Sequence, residues 1–256
     1  MKIEQVAAQM YTVRDYTKTP AELAAALKRV RQIGYQAVQL AGTGEAPEAE
    51  VAKMLRDAGV VSFGSHESSA RILSEPGAAA ERASRLGCQY VVFPHPGGYR
   101  LESLGDVRSL AKELNAAGKV MREAGVTLAY HNHSTEFRRF EGKLVLEVLY
   151  GETEPEHLQA ELDTYWVQHG GGDSEDWCRR LKGRIPLLHL KDYVISPEGR
   201  PTFAEVGHGN LTWKPIVKAA EESGCKWYTV EQDTCTGDPF DSLKMSFEYI
   251  RANLCA

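Results

Sequence analysis

Paired thiolates are missing from this sequence. Its five cysteines are odd in number, and no two of them form a C-x-x-C pair. This distribution argues against a disulfide framework and against a thiolate zinc site, and it is typical of reduced thiols in the cytosol. We therefore expect a cytoplasmic protein.

Long uncharged apolar runs and clusters of basic residues are missing as well. No segment reaches the length of a membrane span, and the first stretch, MKIEQVAAQMYTVRD, contains the acidic Glu4 where a signal peptide would have an apolar core. The formal net charge of -5 argues against a general nucleic-acid binder, because phosphate contacts need clustered lysine and arginine. We expect neither a membrane nor a nucleic acid as a partner.

A glycine-rich phosphate loop is also absent. The stretch QMYTVRD after the first strand candidate does not resemble G-x-G-x-x-G, which disfavours an open doubly wound sheet. The chain instead alternates short apolar runs with amphipathic helical patterns. In residues 19–34, for example, Leu23, Leu27 and Val30 share one face of a helix that Gly34 ends.

Eight strand-like runs recur along the chain, most of them separated by a helical pattern that ends in glycine. Alternating strands and helices imply parallel pairing through right-handed crossovers, and eight units predict a closed (β/α)8 TIM barrel. Because no composition break marks a linker, we expect residues 1–256 to form one domain. The strand candidates are residues 4–11, 37–42, 60–66, 90–95, 126–133, 158–166, 185–192 and 227–233.

Polar residues gather at the carboxyl ends of these strand candidates, where a TIM barrel carries its catalytic groups. Side chains two positions apart share one face of a strand, so both members of each spaced pair point to the same side. Burying so many polar groups is costly unless they bind one another or a ligand. The set comprises His66, His95, His131 with His133, Glu161 with Asp163, His189 with Lys191, and Glu231 with Asp233.

Carboxylates and imidazoles together make a hard oxygen and nitrogen ligand set, which suits one divalent metal ion, Mn, Mg, Co or Zn. Such an ion polarises a carbonyl oxygen, and a neighbouring carboxylate, histidine or lysine can then move the proton on the adjacent carbon. Purely structural roles stay open for single residues. Asp163 would then cap the segment that follows it, and Glu231 would pair with Lys191.

Taken in order, the motifs YHNHSTEF, ELDTYW, LLHLKD, VGHGNLTW and TVEQD resemble the sugar phosphate isomerase/epimerase family of xylose isomerase-like barrels. The resemblance extends to AAQMYTVRD on the first strand. It implies one metal ion, held by Glu136, Asp163, His189 and Glu231. Because Glu136 lies a few residues past the strand end, either His131 or His133 is the alternative first ligand.

The resemblance also implies roles in catalysis and substrate binding. In the ketose epimerase branch two glutamates, here Glu136 and Glu231, exchange the substrate proton from opposite faces. The HNH triplet is closer to the inosose dehydratase branch, so His133 and Lys191 are further candidates for proton transfer. The candidates for contacts to substrate hydroxyls are Gln9, Tyr11, Arg14, His66, His131 and His208.

The leading hypothesis is therefore a divalent-metal-dependent isomerase or epimerase that moves a proton next to the carbonyl of a ketosugar or cyclitol. The second is a lyase of the inosose dehydratase or 3-keto-glycoside type, in which the same proton removal expels a β-leaving group. An apurinic-site endonuclease would need more histidines and a basic face, and a non-catalytic sugar-binding barrel is the remaining alternative. Members of the family are often dimers or tetramers, so a homo-oligomer stays open.

Overall fold

The computed structural model describes residues 1–42 and 46–255. Eight parallel strands close into a barrel in which each strand pairs with its neighbours in chain order and the last pairs with the first. This confirms the predicted (β/α)8 TIM barrel. The barrel strands are β1 (Val6–Gln9), β2 (Ala37–Leu40), β3 (Val61–His66), β4 (Tyr90–Phe93), β5 (Thr127–His131), β6 (Gln159–Asp163), β7 (Leu187–Leu190) and β8 (Trp227–Val230).

Helices surround the barrel, and the first shows why they form where they do. The Thr19 hydroxyl accepts a hydrogen bond from the backbone of Glu22 at 3.3 Å, Pro20 occupies the first turn, and Gly34 ends the helix with a φ of 132°. Among the described residues, no helix has both the length and the apolar character needed to cross a membrane. The helices are α1 (Pro20–Ile33), α2 (Glu48–Ala58), α3 (Ser69–Ser74), α4 (Pro76–Arg85), α5 (Leu104–Glu123), α6 (Val145–Gly151), α7 (Thr164–His169), α8 (Ser174–Arg180), α9 (Trp213–Glu222) and α10 (Pro239–Asn253).

All eight barrel strands are shorter than their predicted runs, and the structure adds two hairpins. Residues 158–166 were predicted as one strand, but β6 ends at Asp163 because its side chain accepts a hydrogen bond from the backbone of Trp166 and caps α7. Two antiparallel hairpins follow β5 and β7, and the strand and helix alternation did not predict them. They pair Arg139–Phe140 with Lys143–Leu144, and Asp192–Ile195 with Pro201–Ala204.

The barrel interior has an apolar lower layer and a polar upper layer. Ala7 and Ala37 belong to the lower layer, near the amino ends of the strands. Two residues further along the same strands, Gln9 and Gln39 are buried and hydrogen-bonded to each other. The alternation of side chains along a strand thus separates packing positions from polar positions at the carboxyl end. The lower layer comprises Ala7, Ala37, Phe63, Val92, Ala129 and Leu187.

Candidate active site

Four side chains from neighbouring strands converge at the carboxyl end of the barrel. His131 ends β5, Asp163 ends β6, His189 lies in β7, and Glu231 directly follows β8. One ligand atom from each lies within 4.8 Å of the other three, and all four residues are buried. The parallel register brings them together, since Asp163 pairs directly with His189 across β6 and β7.

One carboxylate oxygen in this cluster accepts no hydrogen bond. Asp163 Oδ1 accepts from the backbone of Trp166 at 3.0 Å, whereas Oδ2 is buried without a hydrogen-bond partner. Oδ2 lies 3.8 Å from Nε2 of His131 and 3.8 Å from Nδ1 of His189. Buried polar atoms are normally satisfied, so this oxygen and the two imidazole nitrogens fit the ligand set of a divalent cation.

The cluster also carries an excess of negative charge. Burial raises the pKa of Asp163 to about 7, against the attraction of Lys191 and His189. Burial would lower the pKa of His189, but the carboxylates of Glu161 and Glu231 raise it to about 10. In the metal-free protein, protons on Asp163 and His189 therefore balance the negative charge of the cluster. A bound divalent cation would balance it instead.

Lys191 lies among three carboxylates. Its Nζ is 2.8 Å from Asp233 Oδ2, 3.0 Å from Glu231 Oε2 and 3.4 Å from Asp163 Oδ2. Burial opposes the charged form, but these three carboxylates hold the pKa of Lys191 well above its usual value. An ammonium that stays protonated is no base, so this geometry favours Lys191 as a fixed positive charge beside the cluster.

A second polar group lies one step deeper in the barrel, around Glu161. Its Oε2 is 2.6 Å from Nε2 of His66 and 3.1 Å from Nδ1 of His131, and its Oε1 accepts a hydrogen bond from Gln39. Burial opposes ionisation, but His189 and His66 hold the pKa of Glu161 well below its usual range. His66, His131, Glu161 and His189 also have metal-ligand spacing, but protein donors already occupy both oxygens of Glu161.

The structure places Glu136 outside the cluster. Its carboxylate accepts hydrogen bonds from the Tyr130 hydroxyl at 2.7 Å and from the backbone of His133 at 2.8 Å. The 3-10 helix Ser134–Phe137 turns the chain so that Glu136 caps its start. Glu136 is therefore not brought to the other three expected ligands. His131, one of the alternatives expected from the sequence, stands there in its place.

A cavity of about 470 Å³ opens onto the cluster. Burial and the nearby Lys191 charge lower the pKa of His133 in its wall to about 4, so this imidazole is neutral near pH 7. Within the described residues, no lysine or arginine lines the cavity. The lining includes Tyr11, His66, His95, His131, His133, Trp166, Glu231 and Asp233.

Two expected substrate contacts from the first strand lie outside the cavity lining. Gln9 is fully buried and donates to Oε1 of Gln39 at 2.9 Å. The guanidinium of Arg14 donates to the backbone oxygens of Tyr11 and Asp233 at 2.9 Å and 2.8 Å. Gln9 thus belongs to the buried polar layer, and Arg14 ties together the loops after β1 and β8.

His208 lies outside the cavity lining too, on the loop of the VGHGNLTW motif. This loop wraps the buried carboxylate of Asp192, which accepts hydrogen bonds from the backbone of Gly207 at 2.8 Å and from the Trp213 indole at 2.7 Å. The ring of His208 lies beside Tyr249, with 6.3 Å between centroids. The motif therefore has a structural role here, and Trp213 is a core residue.

Gln39 is a site residue that the sequence interpretation missed. Its Oε1 lies 2.8 Å from Nε2 of His189 and also accepts from Gln9, while its Nε2 donates to Glu161. The available signal was a lone glutamine inside the apolar run AVQL. Glu161 is among the polar residues expected at the strand ends, but its position in the sequence alone indicates no specific role.

Comparison with known proteins decides the family. The family model of the xylose isomerase-like TIM barrel matches residues 27–253. The chain belongs to the xylose isomerase-like TIM barrel family. Its fold neighbours include the sugar phosphate isomerase/epimerase of Parabacteroides distasonis ATCC 8503, with a TM-score of 0.84 at 24% identity over 99% of this chain and 96% of that one.

Two curated relatives of this xylose isomerase-like barrel are inosose dehydratases. Those of Geobacillus thermodenitrificans (strain NG80-2) and Geobacillus kaustophilus (strain HTA426) are 27% identical to it over 156 and 202 residues, respectively. The matches cover 54% and 67% of this chain. They cover 51% and 65% of the relatives, so the chain spans about half to two thirds of their length.

Proposed function

We propose that this xylose isomerase-like barrel is a divalent-metal-dependent enzyme that removes a proton next to the carbonyl of a neutral ketosugar or cyclitol. The supporting observation is the buried cluster of His131, Asp163, His189 and Glu231, in which Asp163 Oδ2 has no hydrogen-bond partner. Mn, Mg, Co or Zn held by these residues would polarise the substrate carbonyl and stabilise the negative charge that develops on its oxygen.

Two observations favour dehydration over epimerisation, which reverses the order expected from the sequence. An epimerase with two glutamates needs a carboxylate on each side of the substrate, but the carboxylate of Glu136 is held in its own turn and His131 ends β5. In addition, the curated relatives described above are inosose dehydratases. Dehydration is therefore our first proposal, and epimerisation through Glu231 is the second.

His133 is the proposed acid and base. It lines the cavity, and its ring centroid lies 5.0 Å from that of His131 and 5.2 Å from that of Trp166. Because burial keeps this imidazole neutral near pH 7, it can accept the proton from the carbon next to the carbonyl. The imidazolium then returns the proton to the β-hydroxyl. That carbon–oxygen bond breaks, a carbon–carbon double bond forms, and water leaves.

The cavity wall favours an uncharged substrate. In the part of the chain that the structure describes, the lining carries the acidic residues Glu67, Glu231 and Asp233 but no cation. The basic side chains nearby in the described chain include Arg14, Arg82 and Lys191, and all three are already engaged by backbone oxygens or carboxylates. Apart from the proposed metal ion, which the substrate carbonyl would occupy, a phosphate group would find no cationic partner in the described lining, so we expect free polyols rather than phosphate esters as substrates.

Metal analysis combined with a product assay tests this proposal. We expect one divalent ion per chain, and turnover of an inosose to an unsaturated ketone that absorbs in the ultraviolet. Deuterium uptake from D₂O at the α-carbon without such absorbance would establish epimerisation instead. A metal-loaded protein that binds sugars and changes none of them would be a non-catalytic sugar-binding barrel. A folded chain without affinity for any of the four metals would overturn the proposal.

A further inference from the structure

Each imidazole of the proposed metal site contacts acceptors on both of its edges. His131 has Nε2 at 3.8 Å from Asp163 Oδ2 and Nδ1 at 3.1 Å from Glu161 Oε2. His189 has Nδ1 at 2.9 Å from Glu231 Oε2 and Nε2 at 3.2 Å from Glu161 Oε2. One oxygen of Glu161 therefore lies against the edge of both rings that faces away from Asp163 and Glu231.

Glu161 is fully buried and does not line the substrate cavity. Taking a carboxylate out of water is costly unless its partners compensate for the lost hydration. Those partners are imidazoles and the amide of Gln39, and neither lysine nor arginine is among the groups paired with it in the described chain. Support of the fold alone would not require a charge at this position, because a glutamine also accepts hydrogen bonds.

We propose that Glu161 is a positioning residue for the metal site, an inference that rests on the function proposed above. By accepting from Nδ1 of His131 and lying 3.2 Å from Nε2 of His189, which also meets Gln39 Oε1, the carboxylate favours protons on those two nitrogens. Nε2 of His131 and Nδ1 of His189 then present lone pairs toward Asp163 and Glu231. A carboxylate behind a ligating imidazole also increases its basicity and fixes its orientation.

Gln39 completes this support. Its Oε1 lies 2.8 Å from Nε2 of His189, so two acceptors, Gln39 and Glu161, meet the same ring nitrogen. Gln9 donates to the same Gln39 oxygen at 2.9 Å, and Gln39 Nε2 donates to Glu161. This network fixes Gln39 with its oxygen toward His189. The ring of His189 therefore has Nε2 turned toward Gln39 and Glu161, while Nδ1 faces Glu231 Oε2 at 2.9 Å, the edge at which a cation would replace a proton.

The competing arrangement places the cation in the deeper group, with His66 and Glu161 as direct ligands. The two arrangements differ in which oxygen is free. Both oxygens of Glu161 already accept from protein donors, whereas Asp163 Oδ2 accepts from none. The geometry therefore points to Glu161 as support behind the ligands and to Asp163 as a ligand.

Calorimetric titration of the metal-free protein with Zn²⁺ and Co²⁺ tests this assignment. Glu161→Gln is expected to weaken binding about 10–100-fold while one ion still binds and the visible spectrum of bound Co²⁺ keeps its shape. His66→Gln is the matched control. It removes a Glu161 partner that is not itself a proposed ligand, although its ring lies 5.2 Å from that of His131 and 5.7 Å from that of His189, so its affinity is expected to stay close to that of the wild type. If Glu161 were a direct ligand, His66→Gln would lose affinity too, and Asp163→Asn would keep it.

Histidine ¹⁵N spectra of the Zn²⁺-loaded wild type provide a second readout that does not depend on a variant folding. We expect the proton on Nδ1 of His131 and on Nε2 of His189, and the reverse tautomers would overturn the inference. The proposed metal-dependent function and the proposed role of Glu161 are refuted by different results. A wild type that binds no divalent ion removes the proposed function, whereas a wild type and a Glu161→Gln variant of equal affinity remove only the role of Glu161.

Discussion

Asp163→Asn separates the two roles of one side chain, because the two carboxylate oxygens have different surroundings. Oδ1 caps α7 through the backbone of Trp166, and asparagine caps helices about as well as aspartate. Oδ2 has no hydrogen-bond partner and is the proposed metal ligand. We therefore expect a folded variant that has lost its metal affinity by more than the roughly 100-fold that marks the upper end of outer-shell changes.

The same substitution is expected to stabilise the metal-free protein. Burial raises the pKa of Asp163 from 3.8 to about 7, and each unit corresponds to about 1.4 kcal/mol, so the ionised carboxylate destabilises the fold by on the order of 4 kcal/mol above pH 7. Because the pKa is higher in the folded state than in the unfolded state, the free energy of unfolding falls as the pH rises. The destabilisation is absent below about pH 4 and grows up to about pH 7. Asparagine does not titrate, and its amide near Lys191 offsets roughly half of the gain.

Thermal unfolding of chelated protein between pH 5 and pH 8 is the assay. A net gain of roughly 2 kcal/mol at pH 8 corresponds to a rise of about 4–8 °C in Tm for a chain of this size, and the rise should shrink toward pH 5. Metal at about 100 times its Kd should stabilise the wild type by about 2.7 kcal/mol and leave the variant unchanged. Asp173→Asn is the control, because Asp173 caps α8 at the exposed surface. Equal pH slopes for wild type and Asp163→Asn would refute the reasoning.

Three further substitutions and one control variant test the catalytic group and the packing of the barrel. His133→Asn should keep the metal and slow turnover of an inosose by about 10²–10⁴-fold; unchanged turnover would exclude it as the acid and base. Gly118→Ala should destabilise the protein by about 1–3 kcal/mol in urea titrations, because the added Cβ would lie 1.8 Å from the His157 carbonyl oxygen. Gly105→Ala in the same helix meets nothing closer than 3.5 Å and should be neutral or stabilising. Asp192→Asn should cost roughly 3 kcal/mol in the same titrations, since its carboxylate accepts charge-assisted hydrogen bonds, and an unchanged midpoint would contradict its structural role.

The barrel and three of the four proposed ligands were predictable because they depend on periodicity and chain order. Apolar runs that alternate with glycine-terminated helices predict parallel strands, and parallel neighbours end at one edge of the barrel. Asp163, His189 and Glu231 stand at three consecutive strand ends, so their proximity follows from the fold alone. Short-range patterns suffice for the barrel and for this proximity, whereas the choice of these three residues as ligands came from the resemblance to the sugar phosphate isomerase/epimerase family.

The position of the Glu136 side chain could not be predicted in this way. Its distance from the strand end did not reveal the direction of its side chain, which depends on the 3-10 turn and on the hydrogen bond from the backbone of His133. A glutamate three residues after the start of a turn is the spacing of a capping box, and this local signal would have argued for a structural role. With Glu136 engaged in this way, His131 is the group at the end of β5 that remains for a cation.

The support beneath the ligands was not predictable, because it joins residues far apart in the chain. Gln39 and Glu161 are 122 positions apart, and their hydrogen bond exists only once β2 and β6 face each other across the closed barrel. Both occupy positions where an apolar side chain would pack at lower cost. Their charge and polarity are therefore best explained by the imidazoles above them. Because the carboxylates of Asp163, Glu161 and Glu231 crowd negative charge around these imidazoles in the metal-free barrel, the apparent stability of this protein should depend on its metal content.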